Sequence, residues 1–201
     1  RYAVDAEITL LSIAIQHSPD REPEVKIFDC TDPQGRVEAT KQLDECLDCV
    51  DAMFIAHNAN FDRLIIEHCL NYTIPHHRWY DTASMARSLS LPGSLKPLGE
   101  ALELDEDQSK MKDGRRLVLK FCKPRKTSKS NPATRWTKEN APEDWEKFKD
   151  YCIQDTFALV SMVNTHPSFK GFNYQHQREL ELLDRKINEK GLPIDVPTLK
   201  N

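Results

Sequence analysis

The chain has 201 residues, 39% of them hydrophobic and 30% charged, with a formal net charge of −4. These values are typical of a globular domain, and no apolar run approaches the roughly 18 residues that a membrane span needs. The six cysteines are scattered, and the pair Cys46-x-x-Cys49 has no partner at zinc-finger spacing, so we expect reduced thiols in a cytoplasmic setting. The chain opens at Arg1 without a Met and stops abruptly at Asn201, and we expect it to be a segment of a longer protein.

The positive charges are concentrated in one segment. Residues 110–138 contain eleven Lys and Arg but only one acid, Asp113, which gives this segment a charge of +10. Since the whole chain is at −4, the remaining residues carry −14. Such asymmetry predicts that one basic region of an otherwise acidic protein meets a polyanionic partner.

The first part of the chain alternates strand and helix patterns. Residues 9–16 form an apolar, β-branched run that predicts a strand, and residues 25–29 follow a turn as its hairpin partner. A helix pattern covers 36–50, a short apolar run at 52–56 predicts a buried central strand, and a helix over 60–70 follows. This order predicts an α/β domain with a mixed sheet flanked by helices.

The second part of the chain is mainly helical. Helix patterns cover residues 82–89, 94–102, 114–121, 142–163 and 173–190, and a basic loop is predicted at 123–141. The helix at 142–163 begins at Pro142, a residue that fits the first helical position, with two acids facing the positive end of the helix dipole.

Tyr151 and Asp155 are four residues apart within this helix pattern. A helix therefore puts a phenol and a carboxylate on one face, about 6 Å apart at their bases. Two interpretations follow from the residues alone. The pair could bind a metal ion and orient a water, or it could be a hydrogen-bonded pair that stabilises the helix.

A second polar stretch, His57-Asn-Ala-Asn-Phe-Asp62, lies at the junction of the strand at 52–56 and the next helix. Ligands and catalytic groups collect just past the carboxyl ends of such strands. Asp62 falls in the first helical turn, where it could instead be a cap worth about 1 kcal/mol.

The combination of His57-Asn-Ala-x-Phe-Asp62 with a distant Tyr151-x-x-x-Asp155 resembles the tyrosine subtype of the DEDD superfamily of 3′–5′ exonucleases, which is typical of family A DNA polymerases. An ordered series of further segments looks like the exonuclease region of phage-type family A polymerases. These segments are Leu91-Pro-Gly-Ser-Leu-Lys-x-Leu-Gly-Glu100, Gly114-Arg-Arg-Leu, Phe121-Cys-Lys-Pro-Arg-Lys126, Asn131-Pro-x-Thr-Arg135 and Asp144-Trp145. The tail, Leu183-Asp-x-x-Ile-Asn-x-x-Gly-x-x-Ile-Asp195, looks like the entry to a polymerase domain.

The resemblance implies an RNase H-like fold in which residues 1–166 are the exonuclease domain. Residues 167–201 would be a linker, a helix and the start of the polymerase region. It further implies two divalent cations, Mg²⁺ or Mn²⁺, with Asp62 and Asp155 as metal ligands and Tyr151 as the group that orients the attacking water. The expected substrate is single-stranded DNA or a frayed 3′ primer end, in a bacterial or phage-infected cell, and the polymerase domain of the same chain is the expected partner.

The sequence departs from the family at its first motif, Asp-x-Glu, which supplies two more carboxylates on an opening strand. Asp5-Ala-Glu7 has the right spelling, but Glu7 runs almost directly into the predicted strand, with no Gly, Pro or Asn to reverse the chain. We therefore expect the first strand and its motif to be missing from this chain, which would leave Asp5 and Glu7 as loop or edge charges and make the fragment weakly active or inactive.

DNA contacts are expected from two groups of residues. By resemblance, His57, Asn58 and Phe61 line the pocket for the terminal nucleotide, although Phe61 could equally be a core residue. Lys123, Arg125 and Lys126 form either a solvated loop or an arm that contacts phosphates, with Phe121 and Trp136 available to stack on unpaired bases. Three other functions remain open at this stage: a non-catalytic exonuclease-fold module that binds DNA or braces a polymerase, an exoribonuclease of the same superfamily, and a basic α/β binding module without metal.

Overall fold

The computed structural model describes residues 5–18, 20–103, 111–125, 135–165, 169, 174–191 and 193. The described elements, in chain order, are β1 (Leu10–Ile15), β2 (Glu24–Asp29), α1 (Pro33–Asp48), β3 (Phe54–Ala56), α2 (Ala59–Leu70), a 3-10 turn (His76–Arg78), β4 (Trp79–Asp81), α3 (Thr82–Ser88), α4 (Leu95–Ala101), α5 (Met111–Cys122), α6 (Pro142–Thr165) and α7 (Tyr174–Lys190). The predicted α/β class is confirmed. No described helix combines the length and apolar character that crossing a membrane requires.

The hairpin of β1 and β2 is antiparallel and in register, with Leu10 opposite Asp29 and Ile15 opposite Glu24. Helix α6 packs across this hairpin. Its Thr156 hydroxyl lies 2.8 Å from the hydroxyl of Ser12 in β1, and its Asn164 donates to Gln16 just after β1 at 2.8 Å. The hairpin therefore supports the helix that carries Tyr151 and Asp155.

The second sheet differs from the expected mixed sheet. Strand β3 pairs in parallel with β4, and the described residues form two separate two-stranded sheets rather than one. The expectation of a buried central strand over 52–56 is wrong, because only Phe54–Ala56 is a strand and Ile55 is 41% exposed. A three-residue strand with one neighbour cannot cover both of its faces.

Helix α1 begins four residues after the end of β2, and its first turn packs closely against the end of that strand. Asp32 caps the helix by accepting from the N–H of Gly35 at 2.8 Å, and Pro33 occupies the first helical position. A Cβ on Gly35 would lie 1.9 Å from the carbonyl oxygen of Asp29, so only glycine allows this approach.

The carboxyl end of α1 is held by Arg78, which is 9% exposed. Its guanidinium donates to the carbonyl oxygens of Ala52 and Cys49 at 2.6 and 2.5 Å. The Cys46-x-x-Cys49 segment is thus tied to the 3-10 turn through its backbone, which gives it a structural role.

An aromatic cluster joins α5 to α6. Phe121 is 2% exposed, lies edge-on to Trp145 at 5.0 Å between ring centroids, and stacks on Phe148 at 5.3 Å. The expectation that Phe121 stacks on DNA bases is therefore wrong, because its ring is enclosed between two helices.

Helix α7 is amphipathic as predicted, but its apolar stripe does not face the core. Leu180, Leu183 and Ile187 are 48%, 54% and 60% exposed. The contact with α2 is ionic, since the buried guanidinium of Arg63 is 2.7 Å from Glu189 of α7. The proposed domain boundary at 166/167 lies outside the described residues and stays a prediction.

Candidate active site

A cleft of about 760 Å³ brings the three predicted catalytic residues together. Its walls come from residues 5–11, from α2, α5 and α6, and they include Asp62, Tyr151 and Asp155. Asp62 is 89 positions before Tyr151 in the chain, and the two share one cavity because α2 and α6 both contribute to its wall.

Asp62 is in the first turn of α2, but it is not the cap of that helix. The chain enters α2 through Asn58 in the left-handed conformation, with φ of 68°, and the N–H of Asn58 donates to Asp81 at 2.9 Å. Asp81 therefore anchors the start of α2, and Asp62 is left to face the cleft. Burial raises the pKa of Asp62 to about 6, and the nearby charge of Asp81 adds to the effect.

Tyr151 and Asp155 face the same cavity from successive turns of α6. Burial raises the pKa of both side chains. The hydrogen bond between them adds to the rise for the phenol and opposes it for the carboxylate. Tyr151 thus stays protonated at neutral pH and can donate, which suits a group that positions a water and does not suit a base.

Gly114 of α5 makes room for Tyr151. A Cβ on Gly114 would lie 2.0 Å from the Cε2 atom of the Tyr151 ring, a distance that would force the ring to move. The sequence series includes Gly114-Arg-Arg-Leu, but the reason for the glycine is visible only once α5 and α6 are packed together.

Asp5 and Glu7 also line the cleft, although residues 5–9 contain no strand. The carboxylate of Glu7 forms an ion pair with Arg135 at 2.8 Å. Among the described lining residues Arg135 is the only cation, whereas four are acidic. Asp5 and Glu7 lie outside any strand, as expected for this stretch. Whether they serve as the first motif of the family stays a prediction.

The three residues expected at a terminal nucleotide are separated by the structure. Phe61 is 47% exposed and lines the cleft, so it is not a core residue. Asn58 lines a different cavity. The ring nitrogens of His57 lie 3.1 Å from the Thr82 hydroxyl and 3.0 Å from the Gly93 carbonyl, so both have partners within the fold, which argues against direct contact of His57 with DNA.

The basic segment, residues 110–138, reaches the cleft, where Pro124 contributes to the wall. Lys123 is exposed, as a phosphate-contacting side chain would be. The guanidinium of Arg125 lies 4.8 Å from the centroid of Trp136, and Lys120 lies 4.6 Å from the same ring. Trp136 is therefore flanked by two cations. Lys126 lies outside the described residues.

The donor set partly fits divalent cations. The carboxylates of Asp62 and Asp155 offer hard oxygen donors, and both are desolvated in the same cleft. The thiol of Cys152 beside them is held protonated, because burial raises its pKa to about 12. In the described part of the chain, however, no three His, Cys, Asp or Glu side chains gather closely enough to hold a metal ion. Within the described residues Asp62 and Asp155 therefore offer part of a ligand set and not a complete one.

Comparison with known proteins gives one informative match. Over 200 residues, 99% of this chain, the sequence is 35% identical to a protein of Bacillus phage SP02 named DNA polymerase. This chain is similar to part of a phage DNA polymerase. It spans 29% of the length of that protein, as expected of one domain within a larger polymerase chain. No protein-family model matches the chain, and no solved structure matches it.

The similarity to a phage DNA polymerase that was expected from the sequence is therefore confirmed. The similarity to the phage polymerase includes all the helices that line the cleft, since it covers almost every residue from the first strand to α7.

Proposed function

We propose that this chain is the 3′–5′ proofreading exonuclease domain of a family A, phage-like DNA polymerase, with an RNase H-like fold. It would hydrolyse the 3′-terminal phosphodiester of single-stranded DNA. The observation that carries the proposal is the convergence of Asp62, Tyr151 and Asp155 on one cleft in a chain similar to part of a DNA polymerase.

Asp62 and Asp155 would hold Mg²⁺ or Mn²⁺ between them. When bound, such ions neutralise the charge of a phosphodiester and lower the pKa of a water. Asp62 and Asp155 have little else to compensate their charge, because burial and not a cation dominates the pKa of each. The hydroxyl of Tyr151, which donates its hydrogen to Asp155, would accept a hydrogen bond from the attacking water and so fix its position, and Gly114 leaves the space that the ring occupies.

Substrate binding would use the other side chains at the cleft. The exposed ring of Phe61 offers a face for stacking on an unpaired base. Arg135 could exchange its pairing with Glu7 for a phosphate, since an exposed ion pair is worth only about 0–1 kcal/mol. The basic segment, which includes Lys123, would add a sequence-independent attraction for the strand.

A second candidate is a non-catalytic exonuclease-fold module that binds DNA or braces a polymerase. The observation that favours it is that four acids line the cleft but, among the described residues, no three His, Cys, Asp or Glu side chains gather closely enough to hold a metal ion. Both candidates use the same cleft, and they differ in whether Asp62 and Asp155 support hydrolysis.

The polymerase part of the same chain would be the partner of this domain. The exposed stripe of Leu180, Leu183 and Ile187 supports this, because an isolated domain seldom presents three large apolar side chains along one helix.

Digestion of matched, 5′-labelled DNA and RNA oligonucleotides with Mn²⁺ tests the proposal. We expect stepwise shortening of the DNA from its 3′ end, release of nucleoside monophosphates, and loss of at least about 100-fold in rate for Asp62→Asn and Asp155→Asn. Equal residual activity in wild type and both variants would favour the non-catalytic module. Cleavage of RNA alone would make the protein an exoribonuclease.

A further inference from the structure

Trp136 is an aromatic residue beside the cleft to which the proposed reaction gives no role. It directly follows Arg135, which lines the cleft, and its ring is only partly buried. On the side of the protein core, this ring packs against the aromatic cluster of Phe121, Trp145 and Phe148. Because the cluster fixes the ring, Trp136 can in turn hold other side chains in place at the wall of the cleft.

Two cations lie over the ring of Trp136. The Nζ atom of Lys120 is 4.6 Å from the ring centroid, and the Cζ atom of Arg125 is 4.8 Å from it. Both distances are within the range of about 6 Å over which an aromatic ring attracts a cation, and Trp attracts cations best. A ring that is covered by two cations and an aromatic cluster has little area left for a DNA base. The structure therefore does not favour the base-stacking role expected of Trp136.

The two cations differ in their other partners. The ammonium of Lys120 lies 2.5 Å from a carboxylate oxygen of Asp144, so its charge is balanced within the fold. Arg125 forms no ion pair with any described residue, and its buried Nη1 atom has no hydrogen-bond acceptor there. Residues 126–134, which follow it in the chain, contain no acid. Of the two, Arg125 is therefore the cation whose charge remains available to an anion from outside.

Arg125 also lies next to the wall of the cleft. Pro124, the residue before it, lines the same cavity as Asp62 and Asp155. A guanidinium can stack on an aromatic face and still present N–H groups that match the oxygens of a phosphate. Because the ring of Trp136 already orders the side chain, Arg125 loses less rotamer freedom when it binds a phosphate than a solvated arginine would.

We propose that Trp136 is a positioning residue for DNA binding, and that it holds the guanidinium of Arg125 where it meets a backbone phosphate of single-stranded DNA. Trp136 acts through Arg125 and stacks on no base. The proposal rests on the proposed function, which supplies DNA as the ligand. Lys120 shares the ring but contributes no phosphate contact, because Asp144 already balances its charge.

Fluorescence anisotropy with a labelled oligothymidylate, in EDTA and at several salt concentrations, tests the proposal on single and double variants. Arg125→Gln should lower the affinity by about three- to tenfold and make the slope of log affinity against log salt less steep by about 0.7. Trp136→Leu should lower the affinity by about two- to fivefold, but should cost little more when Arg125→Gln is already present. Trp136→Phe keeps a ring and should lose less than Trp136→Leu. Lys120→Gln is the matched control and should leave the salt slope unchanged.

Equal losses from Trp136→Leu with and without Arg125→Gln would show that the ring contacts DNA by itself, and would overturn the proposal. So would an unchanged affinity in Arg125→Gln or in Trp136→Leu, or a salt slope that Lys120→Gln flattens as much as Arg125→Gln does. If Trp136→Leu does not fold, Trp136→Phe is compared with and without Arg125→Gln in the same way. A wild type that binds DNA without cleaving it in Mn²⁺ would refute the exonuclease proposal alone, whereas a wild type that binds no DNA would refute both.

Discussion

Asp62 has to ionise in a place where burial works against its charge. The folded chain raises its pKa from 3.8 to about 6, which means that the native state prefers the protonated acid. The contribution of Asp62 to stability is therefore greatest below about pH 4 and is lost as the pH rises through about 6. A residue kept at such a cost is one that serves a purpose other than folding.

Replacing Asp62 with Asn should stabilise the protein at pH 7.5. Since one pKa unit corresponds to about 1.4 kcal/mol, we expect a gain of about 1–3 kcal/mol in the free energy of unfolding, shrinking towards zero at pH 4. Urea denaturation at both pH values, without divalent cations, measures it. Asp144→Asn is the matched control, because Lys120 and Arg116 lower the pKa of Asp144 and its loss should destabilise at pH 7.5. Destabilisation by Asp62→Asn at pH 7.5 would contradict the account.

Gly114 should matter to catalysis through the ring of Tyr151. Alanine is the better helix former by about 1 kcal/mol, but its Cβ would displace the ring. We expect Gly114→Ala to lower the rate of hydrolysis by about 10- to 100-fold, as small misplacements in active sites do. If the effect passes through Tyr151, adding Gly114→Ala to Tyr151→Phe should cost little more. Fully additive losses would show that Gly114 acts by another route.

At the scale of elements, the long helices are predictable because their apolar residues recur at helical spacing. The pattern over 142–163 corresponds to α6 at Pro142–Thr165, and the pattern over 60–70 corresponds to α2 at Ala59–Leu70. Strand β4 has no such signal, since three residues after a 3-10 turn are too few to show a period of two. The apolar run that contains β3 predicts a buried strand, but such a run does not reveal how many strands lie beside it.

The candidate site is predictable from the sequence for those residues that belong to a short, recognisable motif. Asp62, Tyr151 and Asp155 can be named from the sequence, and the structure puts them in one cleft. The supporting contacts cannot be named in this way. The clearance between Gly114 and Tyr151, the pairing of Glu7 with Arg135, and the anchoring of α2 by Asp81 all join residues that are far apart in the chain.

Phe121 links α5 to α6 and should therefore affect stability and not DNA binding. We expect Phe121→Ala to cost about 3–5 kcal/mol of unfolding free energy, because it leaves a cavity between Trp145 and Phe148. The affinity of the folded fraction for single-stranded DNA should stay within about twofold of wild type. Chemical denaturation and fluorescence anisotropy measure the two quantities. A large loss of affinity with little loss of stability would restore Phe121 as a base-stacking residue.

At the scale of the whole molecule, the charge asymmetry is the feature that best explains how a protein of net charge −4 could meet DNA. The segment 110–138 carries +10, and its Val118, Cys122, Pro124 and Arg135 line the cleft that contains the acidic residues. A strand could thus be drawn to the basic segment while its end enters the acidic cleft, where divalent cations would offset the repulsion.

Charge reversal in the basic segment should weaken the binding of DNA, because it removes salt-dependent contacts with phosphates. For Lys123→Glu combined with Lys126→Glu, we expect weaker binding of single-stranded DNA and a slope of log affinity against log salt that is less steep by roughly 0.7 per lost phosphate contact. Lys41→Glu reverses an exposed charge on α1, away from the cleft, and should change neither quantity by as much. An unchanged affinity at low salt would show that the segment is only a solvated loop. Binding is measured with EDTA present so that no strand is cleaved.

The central claim is that Asp62 and Asp155 together bind divalent metal, and a Mn²⁺ titration followed by electron paramagnetic resonance tests it most directly. Asp62→Asn and Asp155→Asn should each weaken Mn²⁺ binding by about tenfold or more, while Asp144→Asn leaves it unchanged. Mn²⁺ binding that is the same in wild type and in both cleft variants would contradict the account.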